Sequence, residues 1–160
     1  MFKAILSAIM MVVAVLTIGS SRNSDATSLN LSQFQWKNRL LLLFAPSPTH
    51  PLFDQLHKSL QVRNAGVKDR DLVVFEILES DRSTMNNDSL DPQTARSLRE
   101  EFGVSQGEFR VILIGKDGGI KLKRQSQTRL EDIFSLIDAM PMRREEMRQK
   151  SENRKSEGKK

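Results

Sequence analysis

Read from Asn30 onward, the chain alternates short, nearly uninterrupted apolar runs with amphipathic segments. Arg39-Leu40-Leu41-Leu42-Leu43-Phe44 is one such run, stopped by Ala45-Pro46-Ser47-Pro48, and its length and proline-rich stop predict a strand buried on both faces. Pro51 then suits the first position of a helix whose apolar stripe is Leu52, Phe53, Leu56 and Leu60, with Asn64-Ala65-Gly66 as its end. Leu72–Leu78 reads as a second buried strand and Glu79–Leu90 as a polar loop. Asp91-Pro92 opens a second helix, which Gly103 closes. Phe109–Ile114 is a third strand, joined through the turn Lys116-Asp117-Gly118-Gly119 to a fourth at Ile120–Arg124. Thr128 and Glu131 have the spacing of a capping box before a helix with apolar positions Leu130, Ile133, Phe134, Ile137 and Met140. Pro141 interrupts that helix, and Met142–Lys150 resumes it before a charged end. Asn30–Asn38 reads as a short helix or turn packed on the fold, with Trp36 as a lid over the first strand.

The order β-α-β-α-β-β-α needs a parallel crossover between the first two strands and an antiparallel hairpin between the last two. A mixed four-stranded sheet with helices on both faces satisfies every connection. The expected fold is therefore α/β, of the thioredoxin-like arrangement.

Ahead of this pattern stands a different one. Lys3 precedes an uncharged, mostly apolar run over Ala4–Ile18, followed by Gly19-Ser20-Ser21. A spanning helix needs roughly twenty apolar residues, so the run suits a signal peptide, with Ser24 and Ala26 as the small residues of a cleavage site. An uncleaved N-terminal anchor is the competing reading. The expected organisation is a signal peptide over 1–26, a domain over 27–141 and a charged helical or disordered tail over 142–160, with export to a periplasm or to the cell exterior. No later run is long enough to cross a membrane.

The net charge of +5 changes the picture only at the ends. Met142–Lys160 holds eight basic and four acidic residues, whereas residues 27–141 balance fifteen against fifteen. A neutral fold argues against a nucleic-acid partner, whose site would be a basic stripe on the folded face. The tail remains a candidate for weak attachment to an anionic polysaccharide or another envelope or matrix component. Cysteine is absent, which removes thiolate catalysis, disulfides, Cys-ligated zinc and iron–sulfur clusters from this chain. Nor does any motif call for a cofactor: Gly118-Gly119 belongs to a hairpin turn rather than to a phosphate loop.

Several stretches resemble a known family. They are Trp36-Lys37-Asn38-Arg39-Leu40-Leu41, Phe44-Ala45-Pro46, Asp71–Phe75, Leu113–Gly119 and, most specifically, Ile137–Met147 with its Met140-Pro141-Met142-Arg143-Arg144 run. Together they are similar to the uncharacterised domain family numbered 4174, over roughly Leu29–Met147. That domain also occurs in sushi-repeat-containing extracellular proteins and in a secreted matrix-associated coiled-coil-domain protein. The resemblance implies an exported thioredoxin-like domain with no established activity. Active thioredoxins carry their redox pair at the start of the first helix, where this chain has Pro48, Thr49, His50 and Pro51, and a cis-proline where it has Arg110. Disulfide exchange needs two thiols, so a thiol–disulfide oxidoreductase is excluded.

Three candidate sites follow. Thr49 and His50 beside Arg110 would make an anion-binding site. His50, Asp54 and His57 project onto one side of the first helix and offer two imidazoles and a carboxylate to a transition metal, the alternative in which the protein is a metal-binding protein or metal-dependent enzyme. Glu76, a carboxylate within an apolar strand, is either a general acid or base or a side chain that reaches solvent or an arginine. The balance favours a non-redox binding module over an enzyme.

Overall fold

The computed structural model describes residues 29–157, so the expected leader lies outside the described residues. Its sheet is built from β1 (Arg39–Ala45), β2 (Leu72–Leu78), β3 (Thr84–Met85), β4 (Asp88–Ser89), β5 (Arg110–Ile114) and β6 (Ile120–Arg124). The helices are α1 (Pro51–Val62), α2 (Asn64–Asp69), α3 (Pro92–Glu101), α4 (Leu130–Asp138) and α5 (Pro141–Glu157). Strands run in the order β4-β3-β2-β1-β5-β6. β1 pairs with β2 in parallel and every other pairing is antiparallel.

β1 is buried along its whole length because it lies between two strands and between two helical layers. Side chains alternate across a strand, so Leu41, Leu43, Val111 and Leu113 meet Phe53, Leu56, Ile133 and Ile137 of α1 and α4. Leu40, Leu42, Phe44, Phe75 and Ile112 meet Ala95 and Leu98 of α3 on the other face. Helices thus cover both faces of a mixed sheet, as the run lengths predict.

Six strands replace the expected four. The stretch Glu79–Leu90 contains the β3–β4 hairpin, whose two-residue turn is Asn86-Asn87, both at positive φ (51° and 74°). Asparagine tolerates this left-handed region, which tight hairpins require. Asn86 fastens the hairpin to β2: its backbone N–H donates to Val74 O at 2.8 Å, and its side-chain oxygen accepts from Val74 N–H at 2.9 Å.

Local chemistry departs from expectation at four further points. Asn64-Ala65-Gly66 does not end the helical path; α2 starts there and buries Val67. A Cβ on Gly66 would lie 2.8 Å from the Phe134 ring, so this glycine lets α2 approach α4 closely. The capping box does not form: Thr128 is buried and donates its hydroxyl to Ser126 O, while the cap position belongs to Arg129. Trp36 is no core lid. It is 64% exposed at φ 66°, with its N–H bound to Lys116 O, and Phe34 fills the apolar role by packing edge-on against Phe75.

Finally, Pro141 begins a helix that runs to Glu157, past Lys150. Its first turns are tied down by buried charge. Arg39, 1% exposed at the start of β1, donates two hydrogen bonds to the Glu146 carboxylate and one to Arg70 O. Lys116 reaches the same carboxylate at 2.8 Å. Arg143, 3% exposed, is bound by Asp69 and Asp138, and Arg70 joins Asp138 at 2.5 Å while lying 4.2 Å over the Phe134 ring. The boundary expected between 141 and 142 therefore falls inside an ion-pair network.

Candidate functional site

The start of α1 is where a thioredoxin-like fold would carry redox chemistry; here Thr49 and Pro51 are exposed and His50 is partly buried. His50 is the cap residue, with extended backbone and no side-chain capping bond. Its ring stacks on Phe109 at 5.3 Å with 7° between planes, and its Nδ1 is buried without a partner. Thr49 shares a 3.0 Å hydrogen bond with Ser47.

Arg110 does not join them. Phe109 and Val111 face the α1 side of the sheet, so strand alternation turns Arg110 to the α3 side. There it donates to Phe102 O and Gly103 O at 2.9 and 3.0 Å and pairs with Glu108, capping the carboxyl end of α3. The anion site expected from Thr49, His50 and Arg110 is therefore split between two faces.

The three side chains read as metal ligands are also held apart. Asp54 pairs with Lys58 at 2.7 Å, His50 stacks on Phe109, and His57 turns toward β2. Among the described residues, no three His, Asp or Glu side chains converge as a metal would need. A shared helical side is not enough: seven residues of helix rise about 10 Å, and His50 precedes the first helical residue.

Glu76 meets a histidine rather than open solvent or an arginine. At 9% exposure, its Oε1 lies 2.5 Å from Nδ1 of His57, and its Oε2 accepts from the Thr84 hydroxyl at 3.1 Å. The His57 ring stacks on Phe53 at 5.7 Å. Beside this group, α1, α2 and the β3–β4 hairpin enclose a cup of about 280 Å³.

A larger cleft, of about 1000 Å³, lies elsewhere, between the carboxyl end of β2 and the start of α3. Leu78, Leu90 and Ala95 line it, and its polar rim mixes Arg82 and Arg96 with Asp81 and Asp91. Arg99 braces its wall by donating to Ala45 O and Ile77 O at 2.9 and 3.3 Å while paired with Glu79. Burial draws the Arg99 guanidinium below its usual pKa, against the pull of Glu79 and Glu108. Arg82 and Arg96 make no ion pair among the described residues; Arg96 only donates to the Gln93 side chain. The signal for this cleft in the sequence is slight: Arg82 sits in a polar stretch, and Arg96 and Arg99 share the three-residue spacing of any helix face. Its position follows from topology, since open sheets gather ligands beyond the carboxyl ends of parallel strands.

Comparison with known proteins agrees with the architecture. A 2-Cys peroxiredoxin of Plasmodium vivax superposes with a TM-score of 0.54 at 16% identity, covering 69% of this chain and 82% of that one. Thioredoxin peroxidase I of Plasmodium yoelii superposes with a TM-score of 0.52 at 20% identity, covering 68% of this chain and 76% of that one. At such identities the likeness shows a thioredoxin-like fold alone. In sequence, the chain is 27% identical over 137 residues to a sushi repeat-containing protein, SRPX2, of Xenopus laevis, matching 84% of this chain and 30% of that protein. It is 26% identical over 133 residues to coiled-coil domain-containing protein 80 of Danio rerio, matching 73% of this chain and 15% of that protein. The chain thus spans less than a third of the length of these curated relatives. The model of the domain of unknown function DUF4174 matches residues 30–146, ending on the glutamate that pairs with Arg39, and the chain belongs to that family.

Proposed function

We propose that this chain is an exported, non-redox binding module that holds an acidic polysaccharide of the envelope or matrix by its anionic groups. The cleft between α3 and the segment after β2 carries this reading. It combines an apolar floor of Leu78, Leu90 and Ala95 with two guanidinium groups, Arg82 and Arg96, that form no ion pair among the described residues, although the Asp81 and Asp91 carboxylates share the lining. Apolar walls with a few convergent polar groups are the usual composition of a ligand site, and guanidinium is the side chain suited to carboxylate and sulfate oxygens. Export rests on the pattern of residues 1–26.

Titration of the protein with a heparin tetrasaccharide and with an oligouronate tests the reading. The expected result is binding by at least one, fading as salt rises from 50 to 500 mM in the manner of a screened interaction. Arg82→Glu with Arg96→Glu is expected to weaken it at least tenfold, whereas removal of residues 151–160 leaves it within twofold. Wild-type affinity in the double variant rejects the cleft. Loss on removing residues 151–160 alone moves the contact to the end of α5, where Arg154 and Lys155 lie.

A further inference from the structure

We propose a second binding site, independent of the arginine-rimmed cleft: the cup beside Glu76 takes one neutral hexose unit, held through a vicinal pair of hydroxyls. The argument starts from the carboxylate. Glu76 is nine-tenths buried yet lines the cup, and each of its oxygens receives a single donor, His57 Nδ1 on Oε1 and the Thr84 hydroxyl on Oε2. A carboxylate has about four acceptor positions, so two remain. His57 and Thr84 fix the orientation of the group, and adjacent hydroxyls match its two oxygens with charge-assisted hydrogen bonds.

The surroundings fit the same ligand. Gln61, Asn64, Asn86 and Asn87 line the cup with amides, groups that carry both donors and an acceptor as a hydroxyl does; the Asn86 oxygen is held by Val74 N–H, which leaves its NH2 as the donor. The side chains of Gln61 and Asn87 meet across it at 3.5 Å. Leu60, Val67 and Val74 supply apolar surface for the C–H face of a sugar ring. Lys68 is the one cation in the lining, so it balances Glu76, opposes an ammonium ligand and favours a neutral one. About 280 Å³ lies just below the usual range of ligand-pocket volumes, appropriate to one ring and too little for a chain segment.

Methyl α-glucoside, methyl α-mannoside and methyl α-galactoside, each titrated to 50 mM while amide NMR spectra are recorded, test the proposal. At least one is expected to produce saturable shifts in the Gln61, Asn64, Asn86 and Asn87 side-chain amides, with a dissociation constant on the order of 1–10 mM. Glu76→Gln is expected to weaken it at least tenfold. Gln61→Ala, on an exposed helical position where folding is not at stake, is expected to weaken it about threefold. Arg82→Glu with Arg96→Glu is expected to leave it unchanged, which separates this site from the cleft. Absence of saturable shifts with all three sugars overturns the proposal, as do shifts that map away from the cup or full affinity in Gln61→Ala.

Discussion

Arg39, the first residue of β1, and Glu146, in the second turn of α5, are joined by two parallel hydrogen bonds of 3.2 and 3.0 Å across 107 residues of chain. The arginine is essentially without solvent, whereas the glutamate keeps 22% of its side-chain surface in water. Burial works to raise the Glu146 carboxyl, and hydrogen bonds from Arg39 and Lys116 more than offset it, so its pKa lies below the ordinary glutamate value. The last helix is thereby part of the sheet's support.

Removing one partner leaves a buried charge uncompensated. Glu146→Ala is expected to lower the unfolding free energy by about 2–3 kcal/mol, below the full loss of a wholly buried pair because Glu146 is partly hydrated. Replacing both partners, as Arg39→Met with Glu146→Leu, is expected to recover at least half of that loss, since no orphaned charge remains. Urea denaturation of the three proteins checks both statements; equal stability of Glu146→Ala and wild type refutes them.

The same network sets an acid limit. Hydrogen bonds from Lys150 and Arg143 hold the Asp69 carboxyl at about 2, against 3.8 for the free group. A folded pKa below the unfolded one means a contribution that is complete above about pH 4 and is lost as pH falls toward 2. Stability measured by urea denaturation is therefore expected to decline between pH 4 and pH 2, and Asp69→Asn is expected to flatten that part of the profile. An unchanged slope in Asp69→Asn disproves the assignment.

Gly66→Ala sets two effects against each other. Alanine improves helix propensity by roughly 0.5–1 kcal/mol, but its Cβ would stand 2.8 Å from a Phe134 ring that Arg70 covers on one face. Overpacking of this kind costs about 1–3 kcal/mol. A net destabilisation of about 1 kcal/mol is expected, and Gly66→Ala with Phe134→Leu is expected to be less destabilised than the sum of the two single changes. A single variant as stable as wild type would show that α2 can shift without cost.

Shortening the chain distinguishes the structural part of α5 from the rest. A protein ending at Lys150 keeps Arg143, Glu146 and the Lys150–Asp69 pair, and its melting temperature is expected to stay within about 4 °C of the full chain, the equivalent of less than about 1 kcal/mol. One ending at Pro141 strands Arg39 and Lys116 without Glu146, and its melting temperature is expected to fall by about 10 °C or more. Scanning calorimetry of the two proteins provides the comparison.

Residue types by themselves determined a good deal. Apolar runs at Leu40–Phe44 and at Leu72–Leu78, the latter broken only by Glu76, specify strands covered on both faces, because an exposed face would require polar alternation. Proline after a cap residue specifies where α1 and α3 begin. Absence of cysteine closes thiol chemistry whatever the fold.

Tertiary structure decided what depends on partners distant in the chain. His50, Asp54 and His57 are close in sequence, yet strand and helix geometry commits them to Phe109, Lys58 and Glu76. His50 and Arg110 carry compatible chemistry, but His50 stacks on Phe109 while the next residue, Arg110, turns to the opposite face of the sheet, a consequence of the two-residue strand period. Thr128 meets the spacing of a cap and is instead turned inward and buried. Neither the Glu76–His57 contact nor the Arg82–Arg96 rim has a local signature, because each joins elements that only packing brings together. Local pattern fixes which segments bury their surface; which polar groups then meet is settled by the pairing of those segments in space.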